Sequence, residues 1–158
     1  MKDSSVTSTL RGMLSKDSDV VECVGSVDEA NAFVGLAKVF SGDSETKTIL
    51  EEIQRTMFKV GAEVSSGKPY LSQKDYERIL ELITDMERKV ELPASFVVLE
   101  TNETSAMLSV ARTVVRRAER RAVKLYNEKK LRMEVVEWLN KLSYLLYLLA
   151  LKAGGGQR

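Results

Sequence analysis

The chain has 158 residues, of which 44% are hydrophobic and 30% are charged, with 24 Lys and Arg against 23 Asp and Glu. This balance is typical of a single globular domain, and we expect one domain over residues 1–158. Two prolines and nine glycines are too few for the many tight turns of an all-β fold. The composition therefore argues against an all-β protein.

The cysteine and histidine content excludes several kinds of chemistry. Cys23 is the only cysteine, which excludes an intramolecular disulfide and a metal-binding cysteine cluster and favours the cytosol. The chain has no histidine, so Ser-His-Asp and Cys-His catalysis, the usual zinc sites and Glu-x-x-His di-iron bundles are excluded. Any catalysis must then use Arg, Lys, Asp, Glu or hydroxyl groups.

No segment resembles a signal peptide or a membrane span. Residues 1–11 are polar and rich in Ser and Thr, unlike the apolar core of a signal peptide. The longest apolar run, from Tyr144 to Leu151, has eight residues, whereas a bilayer-spanning helix needs about 18 or more. We therefore expect a cytoplasmic protein with no membrane partner.

Hydrophobic periodicity predicts five helices, with no internal repeat between them. A capping-box pattern from Ser26 to Glu29 marks the start of the first helix, and Pro93 marks the end of the third. Long helices with short connections predict an all-α, five-helix up-and-down bundle of the ferritin-like kind. The predicted helices span about 26–40, 44–64, 72–92, 102–127 and 133–153.

An apolar segment, from Phe96 to Leu99, lies in the loop that joins the third and fourth predicted helices. Apolar residues are usually buried. The residues alone therefore favour a loop that plugs the core, or a stray strand.

Positive charge is concentrated between Arg112 and Arg132. This region holds nine Lys or Arg and two Glu, for a net charge of +7, while the rest of the chain carries −6. A bound polyanion would explain the excess, and so would a helix face that is simply solvated. The positions of the basic residues on the helix must decide between these alternatives.

At about 100° per residue, the basic residues of the fourth helix fall into two groups. An apolar stripe from Met107 to Tyr126 forms the expected core face. The first basic group borders this stripe and brings three guanidinium groups close together. Bound phosphate would offset the repulsion between them. The second group faces away, and we expect it in solvent. The first group is Arg112, Arg116, Glu119 and Arg120, and the second is Arg117, Arg121 and Lys124.

Polar residues on the first and fifth predicted helices lie where a simple bundle would have apolar ones. Asp28 and Asn31 share one face of the first helix, and Asp28 could pair with an arginine of the fourth. An acid in a first helical turn is also favourable to the helix dipole, which would be reason enough for Asp28. Asn140 interrupts an apolar surface, where an interhelical hydrogen bond is its commonest role.

Three strings of residues carry a resemblance that covers nearly the whole chain. They are GSVDEAN from Gly25 to Asn31, ARTVVRRAER from Ala111 to Arg120, and WLNKLS from Trp138 to Ser143. In this order and spacing, the sequence resembles the ATP:cob(I)alamin adenosyltransferases of the PduO type. The resemblance implies a homotrimer that transfers the 5′-deoxyadenosyl group of ATP, accompanied by Mg²⁺, to cob(I)alamin, giving adenosylcobalamin and triphosphate.

The same resemblance implies roles for individual residues. Arg112 and Asp28 would pair across a subunit boundary to shape the catalytic site and contact cobalamin, and Arg116 would act on ATP. Phe96 would press on the lower face of cobalamin and displace its lower ligand. The implied ATP-binding residues, several of them in an N-terminal segment over residues 1–20, are Thr7, Ser8, Thr9, Lys16, Arg116, Glu119, Arg120 and Asn140.

The sequence departs from the family pattern in two loops. A Gly-Asp-x-Gly phosphate loop is reduced to Asp3-Ser4-Ser5, and the Pro-Gly-Gly after the apolar segment is replaced by Leu99-Glu100-Thr101. Tyr144 also stands where an acid or amide is common. The glycines at the C-terminus predict a flexible tail over 154–158.

Two other functions stay open. One is a non-catalytic bundle that binds a polyanion such as RNA through the fourth helix, although no aromatic stacking platform lies among its basic residues. The other is a cobalamin carrier or sensor of the same family. The enzyme interpretation implies a corrinoid reductase and an adenosylcobalamin-dependent enzyme as partners, and no nucleic acid.

Overall fold

Five helices and a short β-hairpin make up residues 3–155, the part of the chain described by a computed structural model. The predicted five-helix, all-α bundle is confirmed, with the hairpin as an addition. No helix in this part of the chain has the length and apolar character needed to cross a bilayer. The elements are β1 (Val6–Thr9), β2 (Gly12–Ser15), α1 (Asp19–Phe40), α2 (Ser44–Ser66), α3 (Gln73–Lys89), α4 (Glu103–Asn127) and α5 (Met133–Ala153).

The core is built around α5. Helix α1 packs against α2 and α4, and α5 packs against α4 and α3. Leucines cover most of the circumference of α5, and Leu142, Leu145, Leu146 and Leu149 have no exposed surface. Replacing a buried leucine by alanine commonly costs about 2–5 kcal/mol. This rigid packing fixes the relative positions of the residues that face outward from α1, α4 and α5.

The starts of helices α2 to α5 match the prediction because most of them carry a capping residue. The Asp43 carboxylate accepts a hydrogen bond from the backbone N–H of Thr46 at 3.1 Å and begins α2. Ser72 and Asn102 form capping boxes at the starts of α3 and α4. Such side chains satisfy backbone N–H groups that would otherwise lack partners.

The predicted start of α1 at Ser26 is wrong. The helix begins at Asp19, after the cap Ser18, whose hydroxyl accepts a hydrogen bond from the N–H of Val21. Ser26 is buried inside the helix, where its hydroxyl donates to the carbonyl of Glu22. Asp28 is therefore not in a first helical turn, and the helix dipole does not explain it.

The hairpin over residues 6–15 was not predicted. Strands β1 and β2 are antiparallel, with Thr7 opposite Leu14 and Thr9 opposite Gly12. The segment from Thr7 to Thr9, part of the N-terminal segment expected to bind ATP, is therefore a strand. Each strand has only four residues, and the turn residues Leu10 and Arg11 carry none of the Asn-Gly signal that marks most two-residue hairpins.

The prediction that Arg117, Arg121 and Lys124 face solvent holds for Lys124, whose side chain is 61% exposed, but the side chains of Arg117 and Arg121 are only 38% exposed. All three form ion pairs with acids of α1, two of which lie in the part of α1 that the prediction left out. These pairs offset much of the positive charge on one side of α4. The pairs are Arg117 with Glu29, Arg121 with Glu22 at 3.0 Å, and Lys124 with Asp19 at 3.1 Å.

Tyr126, which the predicted core face of the fourth helix included, is exposed, and so is Phe58 of α2. Tyr126 is 40% exposed at the last turn of α4, and Phe58 on α2 is 71% exposed. In α2, Met57 fills the core position, so Phe58 lies about 100° further round the helix.

At the C-terminus, Gly154 and Gly155 form a turn after α5, and the rest of the predicted tail, 156–158, lies outside the described residues.

Candidate active site

One side of α4 carries three arginines, Arg112, Arg116 and Arg120, at intervals of four residues. The ion pairs that α4 arginines form within residues 3–155 belong instead to Arg117 and Arg121. Such crowding of cations is unfavourable without an anion nearby. This side of the helix is therefore suited to bind an anionic ligand.

Asn140 and Glu119 join α5 to the same side of α4. The Nδ2 of Asn140 donates a hydrogen bond to Oε1 of Glu119 at 3.1 Å, which confirms the predicted interhelical bond. The structure thus brings together four of the residues expected to bind ATP, namely Arg116, Glu119, Arg120 and Asn140. Their amide, carboxylate and guanidinium groups offer both donors and acceptors to a ligand.

Phe96 is fully exposed, so the expectation that it plugs the core is wrong. Of the apolar segment, only Leu99 is buried. Phe96 lies at a cleft of about 510 Å³, whose other walls include Arg112 of α4 and Tyr147 of α5. The buried Nε of Arg112 has no hydrogen-bond partner within residues 3–155. The apolar side chain of Phe96 and the cationic residue Arg112 thus line the same space.

The loop that carries Phe96 is anchored at its C-terminal end without the glycines of the family pattern. Glu100 accepts a hydrogen bond from the hydroxyl of Ser109 on α4. The N–H of Thr101 donates to the carbonyl of Leu99 at 3.0 Å. The hydrogen bond from Ser109, and to a smaller extent the charge of Arg112, lowers the pKa of Glu100. Residues 94–98 of the loop stay exposed.

A second cleft, of about 480 Å³, lies between the hairpin, α1 and α2. Its walls bring Thr7, Ser8 and Thr9 together with Asp28 and Asn31. Asn31 is 8% exposed, and its Oδ1 has no hydrogen-bond partner in the described part of the chain. A buried amide oxygen without a partner is costly, so this cleft favours a ligand that donates a hydrogen bond.

The hydroxyl of Thr9 is already used within the hairpin turn. It donates to the carbonyl of Gly12 at 2.8 Å and accepts from the N–H of Arg11 at 3.0 Å. Thr7 and Ser8 are therefore the hydroxyls that remain available on β1. Phe58 of α2 also lines this cleft and was not named as a site residue from the sequence.

Lys16 lies at the open end of the hairpin, beside the segment that replaces the glycine-rich phosphate loop. Its side chain is exposed, and its N–H donates to the carbonyl of Ser5 at 2.9 Å. The Asp3 carboxylate accepts hydrogen bonds from the Ser5 hydroxyl and N–H, and these bonds lower the pKa of Asp3. A local carboxylate thus stabilises this turn in place of glycine conformational freedom.

Asp28 and Arg112 do not pair within the chain. Asp28 faces the cleft beside the hairpin, whereas Arg112 faces the cleft beside Phe96. The acids of α1 that do pair with α4 are Glu22, Glu29 and Asp19. The predicted pairing of Asp28 with Arg112 across a subunit boundary stays a prediction.

Fold and clefts together define a helical bundle with an arginine-lined face and an adjoining apolar loop. The sequence model of the family described as cobalamin adenosyltransferase matches residues 1–153, and the chain belongs to this family.

Several relatives are named corrinoid adenosyltransferases. The corrinoid adenosyltransferase PduO of Salmonella typhimurium is 34% identical over 156 residues, which cover 94% of this chain and 46% of that protein. The corrinoid adenosyltransferase of Bacillus subtilis is 30% identical over 89% of this chain and 77% of that protein. The chain spans about half the length of the PduO proteins of Salmonella typhimurium and Citrobacter freundii.

Solved structures show the same fold. A variant PduO-type ATP:corrinoid adenosyltransferase from Lactobacillus reuteri, complexed with cobalamin and ATP, has a TM-score of 0.85 and 26% identity, covering 97% of this chain and 89% of that one. Another variant from the same organism, complexed with ATP, has a TM-score of 0.83 and 27% identity, covering 98% and 93%.

Proposed function

We propose that the chain transfers the 5′-deoxyadenosyl group of ATP to cob(I)alamin, giving adenosylcobalamin and triphosphate. One side of α4 carries this proposal. On that side Arg116 and Arg120 have no ion-pair partners within residues 3–155, and they adjoin the cleft that Phe96 and Arg112 line. Phosphates suit the arginines, and a large, flat apolar ligand suits the exposed Phe96. Relatives named corrinoid adenosyltransferases support this assignment.

In the proposed reaction the nucleophile comes from the substrate. The electron pair of cobalt(I) forms a bond to the 5′ carbon, the bond from that carbon to the phosphate oxygen breaks, and triphosphate leaves with the electron pair. The absence of histidine is no obstacle, because no protein group has to attack or remove a proton. The protein aligns cobalt with the 5′ carbon, and Arg116, Arg120 and Lys16 offset the charge of the leaving triphosphate.

Mg²⁺ enters this proposal only as the companion of the triphosphate. Within residues 3–155, no three Cys, Asp or Glu side chains are arranged to hold a metal ion. The residues present therefore do not form a metal site of their own, and no step is assigned to the ion.

We further propose that the enzyme is a homotrimer in which each site lies between two copies. Two halves of the proposed site face different clefts of one chain, with Asp28 and the hairpin at one and Arg112 with Phe96 at the other. Exposed apolar side chains near the end of α1, Leu36, Val39 and Phe40, offer a neighbour a surface to cover.

The proposed trimer predicts a molecular mass about three times that of the chain in static light scattering, because three copies close a ring with identical interfaces. The mass should stay unchanged on moderate dilution. A mass equal to that of one chain at every concentration would contradict the proposal.

A polyanion-binding bundle is less well supported by the structure. The second group of basic residues on α4 is paired with acids of α1, which leaves a short row of arginines rather than a broad basic surface. A carrier or sensor of cobalamin would keep the same clefts and differ only in turnover.

A single assay separates these functions. The protein is mixed with ATP, Mg²⁺ and chemically reduced cobalamin, and the corrinoid absorption spectrum is followed with time. Conversion of the cob(I)alamin spectrum to that of adenosylcobalamin, with release of triphosphate, is expected. Binding of cobalamin without product would support the carrier, and no binding of ATP or cobalamin would contradict family activity altogether.

Replacing Phe96 by alanine is expected to reduce turnover sharply and to leave the melting temperature of the unliganded protein nearly unchanged. The side chain is fully exposed, so its removal leaves no cavity in the core. The substitution should also abolish the spectral signal of cobalamin that has lost its lower ligand, measured with ATP and corrinoid both bound.

Val98→Ala is the matched control for Phe96→Ala. Val98 is an exposed apolar residue of the same loop, but it does not line the cleft that Phe96 and Arg112 share. We expect normal melting and normal turnover from this variant. Equal loss of turnover in both variants would show that the loop as a whole, rather than Phe96, matters.

A further inference from the structure

Arg11 connects the hairpin turn to two other parts of the fold. Its Nε and Nη2 donate hydrogen bonds to the carbonyl of Val64 at 3.2 and 3.0 Å, and Nη2 also donates to the carbonyl of Lys130 at 2.7 Å. Val64 lies in the last turn of α2, and Lys130 lies in the turn between α4 and α5. One side chain therefore joins three segments that are distant in sequence.

The end of α2 is suited to receive this guanidinium group. Carbonyl groups in the last turn of a helix lack intrahelical partners and carry the negative end of the helix dipole. Gly67 ends α2 at a φ of +73°, and a Cβ there would lie 2.8 Å from Nη1 of Arg11. Glycine at this position thus serves both the left-handed backbone and the close approach of Arg11.

Within residues 3–155, few other contacts fix the hairpin tip. The N–H of Leu10 donates to the hydroxyl of Ser65 at 3.0 Å, but the side chains of Leu10 and Met13 are exposed. A two-stranded hairpin is marginally stable by itself in water. Leu14 of β2, opposite Thr7, packs against the core and anchors the middle of the hairpin. We conclude that the position of the tip beyond it depends mainly on Arg11, with a smaller contribution from Ser65.

We propose that Arg11 is a positioning residue for ATP. By fixing the hairpin tip against α2, it holds the hydroxyls of Thr7 and Ser8 over the cleft they share with Asp28. This inference rests on the proposed function, since it takes those hydroxyls as nucleotide ligands. If the tip is docked in only a fraction of molecules, the apparent affinity for ATP equals the intrinsic affinity multiplied by that fraction.

The test compares Arg11→Ala, Arg11→Lys and the control Arg55→Ala in steady-state kinetics and hydrogen exchange. Arg55 is an exposed arginine of α2 that pairs with Glu51 of the same helix. In Arg11→Ala we expect the KM for ATP to rise by about tenfold, with kcat and the KM for cobalamin changed by less than about twofold. Backbone amides of the hairpin should exchange faster, while those of the helices stay protected.

Arg11→Lys should give an intermediate KM for ATP, because lysine keeps the charge but cannot form the same fork of hydrogen bonds. Arg55→Ala should resemble the parent protein. If Arg11→Ala does not fold, Ser65→Ala loosens the tip more mildly and should raise the KM for ATP in the same direction.

Two results would overturn the inference. One is faster exchange in the hairpin with an unchanged KM for ATP, and the other is an equal rise of this KM in Arg55→Ala. If the parent protein shows no turnover, the proposed function fails, and calorimetric titration with ATP replaces KM as the readout for Arg11. An active parent protein with either of these two results counts against the inference about Arg11 alone, whereas an inactive parent protein counts against the proposed function.

Discussion

Replacing Arg116 by alanine is expected to lower kcat/KM for ATP by about a hundredfold or more, because a cation that offsets leaving-group charge in a closed site commonly contributes this much. Arg116 lies on the side of α4 that adjoins Asn140 and Glu119, and it forms no ion pair within residues 3–155 that its loss would break. Melting of the unliganded protein should therefore change little. Calorimetric titration with ATP should also show weaker binding, but by less than the kinetic loss, because part of the contribution of Arg116 is made only in the transition state.

The adjacent Arg117 provides the matched control for Arg116→Ala. Its guanidinium pairs with Glu29 on α1, on the other side of the helix. Loss of this partly exposed pair should cost at most about 1 kcal/mol of unfolding free energy. ATP binding should stay close to that of the parent. Equal loss of ATP binding in the two variants would mean that the division of α4 into two basic sides has no functional meaning.

Replacing Arg132 by methionine is expected to lower the free energy of unfolding by about 3 kcal/mol, the lower end of the range for breaking a buried ion pair. The carboxylate of Glu63 is 1% exposed and receives two hydrogen bonds from Arg132, both at 2.8 Å, as well as bonds from the N–H groups of Tyr70 and Leu71. Without Arg132, a buried charge would keep only the two backbone donors. For a chain of this length, the melting temperature should fall by roughly 6–12 °C at fixed protein concentration.

The effect of Arg132→Met should depend on pH in a definite direction. Burial alone would raise the pKa of Glu63, but the hydrogen bonds from Arg132, Leu71 and Tyr70 outweigh it, so the pKa lies below its ordinary value of 4.5. A carboxyl group with a lowered pKa stabilises the fold above its unfolded pKa, and this contribution is lost as the pH falls through the folded pKa. The difference between parent and variant should thus be full at neutral pH and shrink below about pH 4.5.

Arg78→Met is the matched control for Arg132→Met. Arg78 pairs with Glu52 at 2.6 Å between α2 and α3, but both side chains are well exposed. Its loss should cost about 0.5 kcal/mol, because solvent screens such pairs. A similar loss of stability in Arg78→Met and Arg132→Met, or a pH-independent difference for Arg132→Met, would contradict the role assigned to the buried Glu63.

Helix boundaries were predictable from the sequence where a capping side chain marks them. Asp43, Ser72 and Asn102 each precede an apolar periodic segment, and each caps a helix in the structure. At α1 the prediction took the capping-box pattern at Ser26 as the start, whereas the helix is capped earlier, at Ser18. The earlier cap, Ser18, is supported by long-range pairs with α4 that a local pattern does not contain.

The candidate site was predictable in its residues but not in its geometry. The motif strings named Arg116, Glu119, Arg120 and Asn140, and the structure places these residues on adjoining faces of α4 and α5. Burial of Phe96 was the wrong expectation, because hydrophobicity does not tell whether an apolar loop faces the core or a ligand. Arg11 was missed because its hydrogen bonds go to backbone carbonyls, whose positions depend on the whole fold.

The central claim is that each site is built from two copies of the chain, and mixing two inactive variants tests it directly. Asp28→Ala impairs the hairpin half of the proposed site, and Arg116→Ala impairs the α4 half. Each homotrimer alone should be nearly inactive. Co-expressed in equal amounts and purified as mixed trimers, they should regain about a quarter of the parent activity, because about one interface in four then joins two intact halves. Mixed trimers that stay as inactive as either variant alone would contradict a site shared between subunits.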